Sequence, residues 1–185
     1  MVAVNGCGPR GPLPLILTGQ SNALPDRLGA ALVAAYAPGR VLVTAQGSTG
    51  IRAWDLGGPL WQRLAPTLRQ PVAAVAWWQG ETDAQQGNPH YEADARGLFA
   101  RVRATTGNPR LLIVVVQILP YVPPPPLQDA TLVRAAQAAL VASDPNSVLL
   151  SVDDLPTDGG NHSVAYPEVA ARIVSAVHAR SLIRP

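Results

Sequence analysis

Four short polar motifs, each following an apolar run, hold residue types from which acyl transfer is built: Gly19-Gln20-Ser21-Asn22, Gly47-Ser48-Thr49, Trp78-Gln79-Gly80-Glu81, and Asp158-Gly159-Gly160-Asn161-His162. Cleaving an ester through a serine requires a base to take the hydroxyl proton, a group to orient that base, and donors aimed at the oxyanion that forms. Ser21 is the nucleophile candidate, because a serine at the carboxyl end of a buried strand, on a Gly-initiated turn, is presented where a ligand can reach it. On its own Gly-Gln-Ser-Asn is also an ordinary turn; the other three motifs give it weight.

The chain has three histidines. His178 falls inside a helical pattern, off its apolar stripe, and reads as a surface residue. His90 follows Asn88-Pro89 at a helix start, where capping or exposure is its simplest role. His162 lies in a Gly-containing polar loop after the last apolar run, and is the candidate base. Asp158, four residues earlier, can orient it through the ring nitrogen facing away from Ser21, with Asp153 and Asp154 as rivals. The Ser21 and Gly47 N–H groups and the Gln79 amide are the expected oxyanion donors. Glu81 and Asp83 are the acids of the third motif, read first as ties between loops. Trp54 is read as core, with a flat wall for a sugar ring as its functional alternative.

These motifs need elements to position them. Five continuous apolar runs, Leu13–Thr18, Val41–Ala45, Val72–Trp78, Leu111–Gln117 and Val148–Val152, read as strands covered on both faces. Helical patterns lie over Pro25–Tyr36, Pro59–Leu68, Tyr91–Thr105, Asp129–Ser143 and Pro167–Leu182, the last with Val169, Ile173 and Val177 on one stripe. Strands alternating with helices predict an α/β protein: a three-layer α/β/α sandwich on a five-stranded, mostly parallel sheet of flavodoxin-like order. All four motifs then fall at carboxyl ends of strands, where such sheets bind ligands. The segment Ile118–Gln128, with Pro123 to Pro126, reads as a stiff polyproline-like loop.

Composition narrows the classes. At 185 residues the length predicts one domain over 1–185, with 1–12 as an irregular leader, and 48% apolar against 14% charged residues excludes a disordered chain. Arginine supplies all 14 Lys-plus-Arg positions and is dispersed, which argues against a nucleic-acid groove. The missing lysine removes a P-loop lysine, a Schiff base and a Ser-Lys dyad. With Cys7 as the sole cysteine, no disulfide or Cys-rich metal site forms within one chain, and no metal-ligand pattern is found. The beginning of the chain lacks an export signal and no run is long enough to span a membrane, which predicts a cytoplasmic protein unless the chain was trimmed.

Taken together, Gly19-Gln20-Ser21-Asn22, Gly47-Ser48-Thr49-Gly50-Ile51 with Trp54, Trp78-Gln79-Gly80-Glu81-Thr82-Asp83 and the Asp158/His162 loop resemble the SGNH hydrolase superfamily, and within it the sialate O-acetylesterase and acetyl xylan esterase group. The resemblance implies a flavodoxin-like fold, no cofactor, and removal of acetyl groups from sugars by a Ser-His-acid mechanism. It implies Ser21 as nucleophile, Gly47 as second-block glycine, Gln79 in place of the superfamily's third-block asparagine, and His162 as base. The group places its acid three residues before the histidine, where this chain has Gly159. Asp158 therefore needs a one-residue adjustment of the loop, and Glu81 stays open as the partner of His162. The partner expected is a small acyl ester or acetylated sugar, with no nucleic acid and no membrane. Alternatives are a non-catalytic carbohydrate-binding module, a broad GDSL-like esterase or thioesterase, and, less favoured for want of a glycine-rich phosphate cradle, a nucleotide or flavin binder.

Overall fold

The structure, a computed structural model, describes residues 11–122 and 128–182. Among them seven strands form: β1 (Leu15–Gly19), β2 (Val41–Val43), β3 (Ala74–Trp78), β4 (Leu112–Val116), β5 (Tyr121–Val122), β6 (Gln128–Asp129) and β7 (Ser147–Leu150). Five make a parallel sheet in the order β2-β1-β3-β4-β7. Every residue of β1, β3 and β4 is buried, which is why those runs are continuously apolar; the edge strands β2 and β7 are only partly covered.

Helices α1 (Ala30–Ala35), α2 (Pro59–Thr67), α3 (Glu81–Gln86), α4 (Tyr91–Thr106), α5 (Thr131–Ala142) and α6 (Tyr166–Leu182) cover the sheet. α1 packs on α6, and α4 on α5, giving the outer layers of an α/β/α sandwich. On α6, Val169, Ile173 and Val177 repeat every fourth residue and are buried, as one apolar stripe facing a sheet must be. Burying each such side chain contributes about 1.5–3 kcal/mol. Strand order reverses at β1, whose neighbours β2 and β3 both follow it in sequence, so the crevice of an open parallel sheet lies past the β1 terminus.

Three expectations are corrected. The helix expected over Pro25–Tyr36 splits into a wide turn, Pro25–Gly29, and α1, because Arg27 leaves helical dihedrals (φ −115°, ψ −116°) while its guanidinium donates to the Ser21 carbonyl at 3.2 Å. α3 stands where a loop was expected. Its first turn turns Glu81 and Asp83 inward and buries them, the reverse of the polar-out pattern that sequence periodicity detects. The stretch after β4 includes an antiparallel ribbon, with Tyr121 opposite Asp129 and Val122 opposite Gln128; Pro123 to Pro126 lie outside the described residues, as do residues 1–10 of the leader expected over 1–12.

Candidate active site

The chain reaches Ser21 through a position only glycine can fill. Gly19 ends β1 at φ +151°, and a Cβ there would lie 2.0 Å from the Trp78 carbonyl oxygen of β3. The Gln20 N–H donates to that same oxygen at 2.9 Å, and the chain then turns sharply through Ser21–Ala23. Ser21 is partly exposed, and its Oγ lies 2.9 Å from His162 Nε2, across 141 residues of sequence. His162 Nδ1 in turn lies 3.1 Å from Asp158 Oδ2. The loop carrying both folds on itself: the Asp158 N–H donates to the His162 carbonyl at 3.0 Å, while Asp158 Oδ1 accepts from the N–H groups of Gly160 and His162 at 2.9 and 3.3 Å. Desolvation works to raise the Asp158 carboxyl, but the Gly160 N–H and the His162 ring and N–H outweigh it and hold it below the ordinary aspartate value.

Beneath this chain lies a buried polar hub, centred on Asn22. Its Nδ2 donates to Glu81 Oε1 at 3.0 Å and to the Asn161 carbonyl at 2.8 Å. Its Oδ1 accepts from the Ser163 N–H and the Tyr166 hydroxyl, both at 3.2 Å. All four bonds an amide side chain can make are formed, three of them to residues flanking or following His162. Gln20 adds a parallel tie, its Oε1 facing the Gly80 and Thr82 N–H groups at 3.4 Å. Glu81 is buried, and loss of solvent raises its carboxyl to about 7; its Oε2 has no hydrogen-bond partner among the described residues. Glu81 therefore meets Asn22, while Asp158 meets His162. The other two acids weighed beside Asp158 are engaged elsewhere, Asp153 with Arg134 and Asp154 with Arg172, at 2.6 and 2.5 Å.

The second and third motifs are joined through Asp83, whose Oδ2 accepts from the Ile51 N–H at 2.9 Å and from Gln79 Nε2 at 2.5 Å, and whose Oδ1 accepts from Asn88. Gln79 Nε2 also donates to the Thr49 carbonyl at 3.0 Å. Both amide hydrogens of Gln79 are thus directed at protein acceptors, and donation to an oxyanion requires one of those bonds to be exchanged. Gly47 holds its turn through the Thr49 hydroxyl on its carbonyl at 2.8 Å, with open space where a Cβ would stand. Trp54 offers no wall for a sugar: it is fully buried, edge-on to Trp77, with its indole N–H on the Thr18 hydroxyl at 3.0 Å. His90 and His178 are exposed, as expected. Sequence reasoning missed Asn22, Tyr166 and Ser163. Their only signal was the asparagine following Ser21, because polar partners this far apart in sequence leave no spacing to read.

A serine hydroxyl bonded to one imidazole nitrogen, with a carboxylate on the other, can pass its proton to the ring as it attacks an electrophilic carbon. Among the described residues no group of three or more His, Cys, Asp or Glu can hold a metal, and no helix is long and apolar enough to cross a membrane.

Solved structures share this architecture. A protein from Arabidopsis thaliana superposes with a TM-score of 0.74 at 18% identity, over 91% of this chain and 98% of its own. A carbohydrate acetylesterase from Xanthomonas citri gives 0.70 at 18%, over 90% of this chain and 55% of its own. A proposed SGNH hydrolase from Slackia heliotrinireducens gives 0.68 at 15%, over 91% and 100%. At such identities the likeness is one of fold, and the fold is that of the SGNH hydrolases. The family model for carbohydrate esterase, sialic acid-specific acetylesterase, matches residues 31–178, and the chain belongs to that family. The match takes in Gly47, Gln79, Glu81, Asp158 and His162 and begins after Ser21. No curated protein matches the sequence.

Proposed function

We propose that this protein is a serine esterase that removes small acyl groups, acetyl above all, from carbohydrates, with Ser21 as nucleophile, His162 as base and Asp158 as the group that orients it. The observation that carries this reading is the continuous chain from Ser21 Oγ to His162 Nε2 (2.9 Å) and from His162 Nδ1 to Asp158 Oδ2 (3.1 Å).

Ser21 Oγ attacks the acyl carbon while its proton passes to His162 Nε2, and the carbonyl becomes an oxyanion facing the Ser21 and Gly47 N–H groups. The imidazolium, stabilised by Asp158, gives its proton to the departing alcohol oxygen, leaving an acyl-serine. Water then attacks that ester with His162 again as base, so that one water and one ester yield one acid and one alcohol. Gln79 supports the oxyanion by exchanging one of its two protein bonds, and Glu81 acts on His162 through Asn22. Because Ser21 and His162 are both partly exposed, water has access from the rim for the second step.

The test is steady-state hydrolysis of an acetyl ester by the intact chain and by Ser21→Ala. The variant is expected to lose several powers of ten in kcat, since members of such a unit fail together. Equal turnover by both proteins would place the activity elsewhere. Carbohydrate binding with no turnover by the unaltered chain would support a non-catalytic binding module instead.

A further inference from the structure

Beside the Gly47 turn the protein carries a cleft of about 710 Å³, bounded by the 46–53 segment on one side and by α3 and the start of α4 on the other. It opens at the same end of the sheet as Ser21: Gln46, at its margin, donates its N–H at 3.1 Å to the carbonyl of Gly19, two residues before Ser21. We propose that this cleft holds the sugar of an uncharged, hydroxyl-rich acetyl ester while the ester group reaches Ser21. The proposal rests on the esterase reading above and names its substrate class.

The lining supports it in three ways. Side chains able both to donate and to accept, Gln46, Ser48, Gln86 and His90 among them, dominate the walls, and Ala53 is the sole side chain of hydrocarbon alone. Such a surface matches sugar hydroxyls and offers a fatty acyl chain or an aryl ring little to pack on. The charges disfavour an anion. Asp83 and Asp94 both line the cleft, against one guanidinium, Arg52, which is already shared between Asp94 at 3.1 Å and Asp55 at 2.9 Å. A carboxylated sugar would meet two carboxylates and no uncommitted cation there.

Gly50 supplies the room. A Cβ built on it would stand 3.6 Å from Gln86 Oε1 and 3.8 Å from both carboxylate oxygens of Asp83, at the cleft's inner wall. Its backbone (φ −70°, ψ 159°) suits any residue. A longer side chain there fills the cleft without backbone strain.

The experiment compares hydrolysis of a mono-O-acetylated methyl glucoside with that of 4-nitrophenyl acetate by the unaltered chain, by Gly50→Leu and by Gln86→Trp. Gln86 is exposed on the last turn of α3, so at least one filled variant folds. The ratio of kcat/KM for the sugar ester to that for the aryl ester is expected to fall at least tenfold in either variant. An unchanged ratio overturns the cleft as the sugar site. The unaltered chain is expected to prefer the glucoside ester to an O-acetylated sialic acid. A reversed preference that disappears in Arg27→Gln overturns the uncharged class, since the Arg27 guanidinium lies against the Ser21 carbonyl. Should neither ester be turned over, the esterase reading fails by itself. Saturation-transfer NMR with methyl glucoside then still answers for the cleft: transfer in the unaltered chain that vanishes in Gly50→Leu upholds it, and no transfer overturns it.

Discussion

Two polar chains meet at Ser21, and they are built to opposite specifications. The outer one, Ser21–His162–Asp158, is partly exposed, with Asp158 43% and His162 27% open to solvent at their side chains. The inner one, Asn22–Glu81 with Gln20, Gln79 and Asp83, is almost wholly buried, and its buried side-chain atoms without a partner are single oxygens of Gln79 and Glu81. An exposed group returns to water when its partner is removed, whereas a buried one leaves its partners stranded at a cost of about 1–3 kcal/mol each. Reactivity and stability are therefore expected to separate, the rim carrying rate and the hub the shape of the rim.

The largest effect expected is on the outer chain. Ser21→Ala is to lower kcat by three to six powers of ten while leaving unfolding free energy within about 0.5 kcal/mol, as surface changes do. A matching loss of stability, read by urea unfolding, would break the separation. Asp158→Asn comes next. A triad carboxylate can be worth about 10⁴ in rate when enclosed, and with Asp158 this open we expect about 10–10². Glu81→Gln, assayed beside it, decides between the two acids: if Glu81→Gln were the more damaging to rate, Asp158 would not be the orienting group.

Asn22→Ala should sharpen the contrast from the other side, lowering stability by about 3–5 kcal/mol because four partners lose their bonds together. A rate loss of about 10² is expected with it as the His162 loop shifts. Loss of rate with stability intact would move Asn22 into the reacting chain.

The smallest effect is a pH dependence. Glu81 holds its proton to about 7 in the folded protein against 4.5 ordinarily, so the native state keeps a proton that the unfolded chain releases. Stability from this group is complete below about 4.5 and is lost as pH rises through 7, by roughly 3 kcal/mol. Glu81→Gln should flatten that decline in urea titrations between those limits, and an unchanged slope would mean that another group causes it.

How much of this was legible in the sequence follows from the same contrast. Strands β1, β3 and β4 announce themselves because burial on both faces selects unbroken apolar runs, and their parallel pairing follows from alternation with helices. Their ends shifted by one or two residues, as at Val72–Trp78, where pairing begins only at Ala74. Ser21 and His162 were legible as residue types in strand-end loops. The choice between Asp158 and Glu81 was not, because Gly159 and Gly160 leave the loop path open until its own hydrogen bonds close it. α3 was hidden by its inward acids, and Asn22 by partners of which three lie more than a hundred residues away.

Fluorophosphonate labelling of the intact protein asks whether the Ser21 hydroxyl is the activated nucleophile. Mass spectrometry of the digested product is predicted to find a single adduct, on Ser21, absent from Ser21→Ala and formed at least a hundredfold more slowly in His162→Ala. An adduct on another residue, or labelling of Ser21 at an unchanged rate without His162, would contradict the account.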